Sequence, residues 1–212
     1  SETLTFDFSN LPIASAEFDG DKLKITFNKI STSRQIPLKS NSMIASALVQ
    51  TDQDKTVYEL SLTDTKVFSG HNLEVSGTQV IVTLKSKFIA KGSLPLKGAV
   101  ILLDAGHGGS DTGAIGLLGY DYPEKTVTLN IVKKLEDELI AKGATVVLTR
   151  STDDYVSLDK RLNQSMTLNP DLMISIHADS LEDTSDLTKI SGFTVYYKEI
   201  LSKSLANKLS QA

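Results

Sequence analysis

The sequence predicts an α/β domain, a mostly parallel sheet with flanking helices, preceded by an all-β, sandwich-like domain. Three observations carry this. Residues 4–88 read as short runs in which apolar and polar residues alternate, the mark of half-buried strands. Ala99 to Asp104 is instead a continuous apolar run, as in strands buried on both faces. Beyond it, strand-like and helix-like segments alternate, an order that implies parallel strands joined by helical crossovers.

In the first half, Leu4 to Phe8, Leu23 to Phe27, Val57 to Leu62 and Val80 to Leu84 are period-two runs. Turn residues punctuate them at Asp19-Gly20-Asp21, Ser69-Gly70 and Ser76-Gly77-Thr78. Ser42 to Val49 is ambiguous between helix and strand, and His71, between Gly70 and Asn72, reads as a turn residue. Gly92 to Gly98 is a Gly/Pro-containing linker. It divides the chain into a β-rich domain, 1–94, and an α/β domain, 95–212. In the second domain Pro123 suits a first helical position, and Val127, Ile131, Leu135 and Leu139 follow at four-residue spacing up to Lys142-Gly143. Thr145 to Thr149 reads as a strand, Leu158 to Leu168 as a helix stopped before Pro170, and Leu172 to Ile176 as a strand. A polar loop, Leu181 to Lys189, leads to a strand at Gly192 to Tyr197 and a last helix from about Ile200.

Composition narrows the chemistry. The 212 residues carry a net charge of −4 with both signs interspersed, which lacks the basic footprint of a nucleic-acid binder. There is no cysteine, so disulfides, thiolate metal sites and cysteine nucleophiles are excluded. A metal would have to sit on His, Asp or Glu. No apolar run reaches the ~18 residues of a membrane span. Ser1 begins no signal-peptide pattern, so the sequence reads as cytosolic, or as a mature form or a cut piece of a longer chain. The pattern carries no signal for oligomeric state.

In open α/β sheets, ligands gather where strands end and loops meet helix N-termini. Two of the three histidines lie there: His107 in Asp104-Ala105-Gly106-His107-Gly108-Gly109 and His177 in Ser175-Ile176-His177-Ala178-Asp179. Glu124 opens the helix between them. Two neutral imidazoles and one carboxylate are the donors of a catalytic zinc site, and zinc allows amide hydrolysis without a side-chain nucleophile. The other reading makes Glu124 a carboxylate favoured by the helix dipole and the histidines polar loop residues. Spacing leaves both open. Asp104 and Asp179 either accept hydrogen bonds from the imidazoles or cap turns. The glycines of 106–109 match neither G-x-G-x-x-G nor the Walker spacing, which argues against a nucleotide site.

Leu103 to Gly109, Asp111-Thr112-Gly113-Ala114, Glu124-Lys125, Leu148-Thr149-Arg150 with Asp153, Arg161, Ser175 to Asp179 and Gly192 to Tyr197 run in that order. Together they resemble the zinc-dependent N-acetylmuramoyl-L-alanine amidases of the Amidase_3 cell-wall hydrolase family. The resemblance implies zinc held by His107, Glu124 and His177. It implies peptidoglycan as partner and substrate, cleaved at the amide between N-acetylmuramic acid and L-alanine, and a place in the cell wall or periplasm. Arg150 and Arg161 match the family's arginine positions, and their expected role is pairing with Asp153 or Asp159 on the surface. The family's further catalytic glutamate, on a strand beyond the helix that follows G-F-x-V-Y-Y, has no counterpart in these residues, and Glu199 does not match its place. The resemblance therefore assigns no general base, and 95–212 reads as a catalytic domain lacking its C-terminal part. Residues 1–94 resemble, by position and strand pattern, the AMIN-type domains that target such amidases to the wall. Two readings compete with the amidase: a non-catalytic peptidoglycan-binding or regulatory module, and a zinc peptidase acting within the stem peptide.

Overall fold

A computed structural model describes residues 1–10, 13–19, 21–31, 34–39, 42–63, 68–115, 122–178, 192–197 and 202–211. The chain divides into two compact units, 1–87 with 194–212, and 88–193. Among the described residues no helix is long and apolar enough to cross a membrane.

The first unit holds seven described strands: β1 (Glu2–Asp7), β2 (Ile13–Asp19), β3 (Lys22–Asn28), β4 (Ile44–Asp52), β5 (Lys55–Leu62), β6 (Phe68–Ser76) and β7 (Gln79–Ser86). They form two antiparallel sheets, β1-β7-β6 and β2-β3-β5-β4. Alternation selects the faces. Leu23, Ile25 and Phe27 of β3 and Val80, Val82 and Leu84 of β7 are all fully buried and share one core with Tyr58, Leu60 and Phe68. Phe6 bridges the sheets, 4.9 Å from the Phe27 ring and 5.1 Å from that of Tyr58; such pairs add about 0.5–1.5 kcal/mol beyond area burial. The ambiguous segment 42–49 is resolved as β4, which pairs along β5. Ser76-Gly77-Thr78 is the expected tight turn, with Gly77 at φ 59° joining paired residues Ser76 and Gln79.

Two local expectations are corrected. Ser69-Gly70 is no turn but a bulge inside β6, where the register shifts between Phe68 and Gly70. His71 is a strand residue: its Nε2 donates to the Ala16 carbonyl at 3.0 Å, and its ring lies 5.5 Å from Phe18. Glycine beside a polar residue reads locally as a turn, yet the ladder to β7 and the bond to β2 hold this stretch extended.

The second unit is built on a parallel sheet of β10 (Leu172–Ile176), β8 (Val100–Ala105) and β9 (Thr145–Leu148), in that spatial order. Central β8 is buried on both faces, as its unbroken apolar run requires. α1 (Glu124–Ala141) packs against all three strands. Its sheet-facing stripe is Glu124, Thr128 and Val132, all buried, joined by Leu135 and Leu139. Ile131, expected on that stripe, is 44% exposed, because a four-residue step drifts around a helix of 3.6 residues per turn. α2 (Leu158–Leu168) begins at Ser157, whose hydroxyl accepts from Lys160 N, and ends at Asn169 in the left-handed region. The linker 92–98 is folded onto this unit, with Leu96 N donating to Lys142 O at 2.9 Å.

The last described helix is α3 (Lys203–Leu209). Residues 192–197 form no strand; Phe193 and Tyr196 are 64% and 84% exposed, and alternation without a ladder partner does not make a strand. The expected loop 181–189, Asp179, Glu199 and Ile200 lie outside the described residues.

Candidate metal centre

β8 ends at Ala105, and its ladder with β10 runs one step further, Gly106 N donating to Ile176 O at 3.0 Å. There the chain turns sharply. His107 takes φ 61°, the left-handed region, which costs a non-glycine residue on the order of 1 kcal/mol. Gly108 and Asp111 then exchange two backbone hydrogen bonds, of 2.9 and 3.1 Å, folding the loop back on itself. The segment 112–114 docks on the start of α1, where Glu124 N donates to Ala114 O at 2.9 Å and Lys125 N to Thr112 O at 3.1 Å. Two of the orphan amides of the helix terminus are thereby satisfied. Pro123 is the N-cap, not the first helical residue as its type suggested, and Glu124 takes that position.

This folding brings His107, Glu124 and His177 together. His107 Nε2 lies 3.1 Å from Glu124 Oε2, and His177 Nδ1 lies 3.2 Å from Oε1. The rings are 5.0 Å apart at 80°. Each carboxylate oxygen also accepts a backbone amide, Ala114 N at 2.9 Å and Ala178 N at 2.8 Å. Burial opposes the charge on Glu124, but those two amides and the neighbouring imidazoles outweigh it, and the carboxyl stays below its ordinary range. One donor atom from each of the three residues lies within 4.8 Å of the others, and no other such group occurs among the described residues.

Two glycines make the crowding feasible. A β-carbon on Gly106 would stand 2.4–2.7 Å from three atoms of the His177 ring, and one on Gly113 would stand 2.6–2.8 Å from His107 Cδ2 and the Glu124 side chain. Two imidazole nitrogens and a carboxylate oxygen in this cradle fit the donor set that zinc takes in catalytic sites.

Residues 101–212 match Amidase_3, the N-acetylmuramoyl-L-alanine amidase family. The chain belongs to this family. Among curated proteins, "Probable cell wall amidase LytH" of Staphylococcus epidermidis is 44% identical over 120 residues, 57% of this chain and 38% of that protein. Its namesake in Staphylococcus aureus is 42% identical over 115 residues, 54% of this chain and 36% of that protein. The chain thus spans well under half the length of these relatives. Among solved structures, the catalytic domain of CwlV, an N-acetylmuramoyl-L-alanine amidase from Bacillus (Paenibacillus) polymyxa var. colistinus, is 35% identical. It covers 53% of this chain and 61% of that one, with a TM-score of 0.47.

Two arginines frame the His107 loop of this Amidase_3 unit, and here the sequence expectation is corrected. Arg150 and Arg161 do not pair with Asp153 or Asp159 on the surface; they are 4% and 6% exposed. Arg161 pairs with Asp104 and donates to Ala105 O and His107 O, both at 2.7 Å. Arg150 donates to Ala105 O, Gly106 O and Lys125 O at 2.8–3.0 Å and has no carboxylate within 4 Å among the described residues. Thr128 adds a bond to Gly106 O at 2.9 Å. Three successive carbonyls at the end of β8 are therefore held by buried donors. Asp153 instead meets Lys125 Nζ at 2.7 Å. Asp104 neither orients an imidazole nor caps a turn: it accepts from Arg161, from Thr149 at 2.6 Å and from Ser175 at 2.7 Å. The acid that does meet an imidazole is Asp111, with Oδ2 3.0 Å from His107 Nδ1. The legible signal was its place four residues beyond the histidine in a glycine-rich loop.

Proposed function

We propose that this chain is the catalytic portion of a zinc-dependent peptidoglycan amidase. It hydrolyses the amide joining N-acetylmuramic acid to the L-alanine of the stem peptide, and it acts in the cell wall. The observation that carries the reading is the convergence of His107 Nε2, Glu124 and His177 Nδ1, each carboxylate oxygen facing one ring nitrogen, in a chain whose residues 101–212 belong to the amidase family. His107, Glu124 and His177 would hold the metal. Bound there, zinc supplies Lewis-acid polarisation of a carbonyl and a lowered pKa for water.

The chain's own groups prepare that site. The amides of Ala114 and Ala178 keep Glu124 ionised and fix its plane. Asp111 occupies His107 Nδ1, which leaves Nε2 to face the cluster. Gly106 and Gly113 admit both rings at close range, and the arginines hold the carbonyls behind His107. Residues 1–94 serve as the wall-targeting domain, a role supported by the two-sheet architecture and by their position before the amidase unit.

The test is zinc content and product analysis on purified peptidoglycan. One tightly bound zinc per chain, lost in His107→Ala and His177→Ala, and new L-alanine amino termini without new reducing ends support the reading. New reducing ends would indicate a glycosidase, cuts within the stem peptide a peptidase, and sacculus binding without cleavage a non-catalytic module. Each of these overturns it.

A further inference from the structure

The loop that presents His107 turns a second acidic group onto the far side of the same ring. Asp111 Oδ2 lies 3.0 Å from Nδ1, while its Oδ1 accepts Gly113 N at 3.1 Å. Its backbone is fixed by the two-way bond with Gly108. The ring therefore stands between two carboxylates, Asp111 at Nδ1 and Glu124 Oε2 at Nε2, the latter at 3.1 Å. A neutral imidazole has one donor and one acceptor nitrogen, so both contacts cannot be hydrogen bonds at once. Glu124 Oε2 already receives the Ala114 amide. Asp111 Oδ2 has no other partner among the described residues. The donor proton belongs on Nδ1, and the Nε2 lone pair then points at Glu124 Oε2, an opposition of two acceptors that a shared cation resolves.

We propose that Asp111 is a positioning residue that holds His107 in the Nδ1–H tautomer and aims its Nε2 lone pair into the His107–Glu124–His177 cluster. The assignment rests on reading that cluster as a zinc site. A metal-bound histidine is oriented by the acceptor at its other nitrogen, and loss of such an acceptor costs about 10- to 100-fold in metal affinity. Asp111 is half exposed, with 47% side-chain accessibility, so its replacement leaves the fold intact.

The experiment measures zinc affinity by chelator competition in wild type, Asp111→Ala and Asp111→Asn. Alongside it, two-bond nitrogen–proton correlations of the imidazole rings are recorded for the metal-free proteins at alkaline pH, with His107 assigned from His107→Ala. Asparagine keeps the size of the side chain, but whichever way its amide is turned, only one of the His107 and Gly113 contacts finds an acceptor. The expected result is a wild-type His107 carrying its proton on Nδ1, a preference lost in Asp111→Ala. Zinc affinity falls about 10- to 100-fold in Asp111→Ala and less in Asp111→Asn, whose amide oxygen still offers an acceptor to Nδ1, while the thermal midpoint of the metal-free chain is unchanged. Wild-type affinity in Asp111→Ala would show that the carboxylate does not position the ring and overturn the proposal, as would an Nδ1–H preference that survives in that variant. Absence of zinc uptake by the wild type would sink the metal reading alone, and the tautomer would still decide for or against Asp111.

Discussion

Gly106→Ala isolates the geometry of the site from every other property of the chain. Gly106 does not adopt a positive φ, so alanine meets no backbone strain, and the added methyl group is the whole perturbation. It would lie 2.4 Å from His177 Cε1, 2.6 Å from Nδ1 and 2.7 Å from Nε2. Restoring an ordinary separation of about 3.5 Å displaces the ring by about 1 Å. Were the ring immovable, overpacking would cost about 1–3 kcal/mol. The His177 side chain is 52% exposed, however, and swings toward solvent instead. Stability then changes by less than about 1 kcal/mol, since alanine also narrows the unfolded ensemble. The donor atom leaves Glu124 Oε1, and a misplacement of about 1 Å costs on the order of 100-fold in rate. Chelator competition, thermal melting and release of L-alanine termini from peptidoglycan, run on one preparation, read all three quantities. Wild-type zinc affinity and turnover in Gly106→Ala would refute the close approach of ring and backbone on which the site depends.

Removing the guanidinium in Arg161→Met takes the cationic partner from the buried Asp104 carboxylate and the Arg161 donor from the His107 carbonyl; the expected loss is about 3–5 kcal/mol in denaturant unfolding. Acid stability follows from the same carboxylate. Burial opposes its charge, but bonds from Ser175, Thr149 and Arg161 outweigh that and hold its carboxyl below the ordinary value of 3.8. A depressed folded pKa stabilises fully above the unfolded value and loses its contribution as pH falls through the folded one. Asp104→Asn is therefore less stable than wild type at neutral pH and shows a shallower loss below pH 3.8, measurable by denaturant titration across pH. In the first unit, Phe27→Ala empties a fully buried site between Phe6, Phe8 and Tyr58 and costs about 3–5 kcal/mol, with zinc affinity unchanged.

What could be read from the sequence was whatever depends on neighbours along the chain. The β8 run, the bounds of α2 and β10 and the glycine turn at 77 follow from periodicity and local turn chemistry, and the structure contains them. The three residues proposed to hold a metal could be singled out because each stands at a strand end or helix start, where a parallel sheet collects ligands, and the structure brings them together. Partners distant in sequence were not legible. Arg150 and Arg161 have acids two or three residues away, and local charge pattern assigns them there. The fold instead buries them against carbonyls of residues 105–107, roughly 45 to 56 positions earlier. His71 was misread for the same reason, since its acceptor Ala16 is 55 residues away. Asp104 beside a histidine motif suggested an imidazole acceptor, but strand alternation turns its side chain to the face from which Arg161 reaches it, and the loop beyond supplies Asp111.

The central place of β8 has a consequence for how the chain is made. The strand is the first of its sheet to be synthesised, yet Val100 waits for Thr145 and Ile101 for Leu172. At about 5–20 residues per second, the nearer partner follows roughly 2–9 s later. Throughout that interval this β-prone apolar segment lacks both of its native ladder partners. Lys97 and Asp104 put a charge at either end of it, and such flanking charges discourage intermolecular pairing. Asp104, which pairs with Arg161 in the finished domain, is thus also one of the two charges that flank this strand.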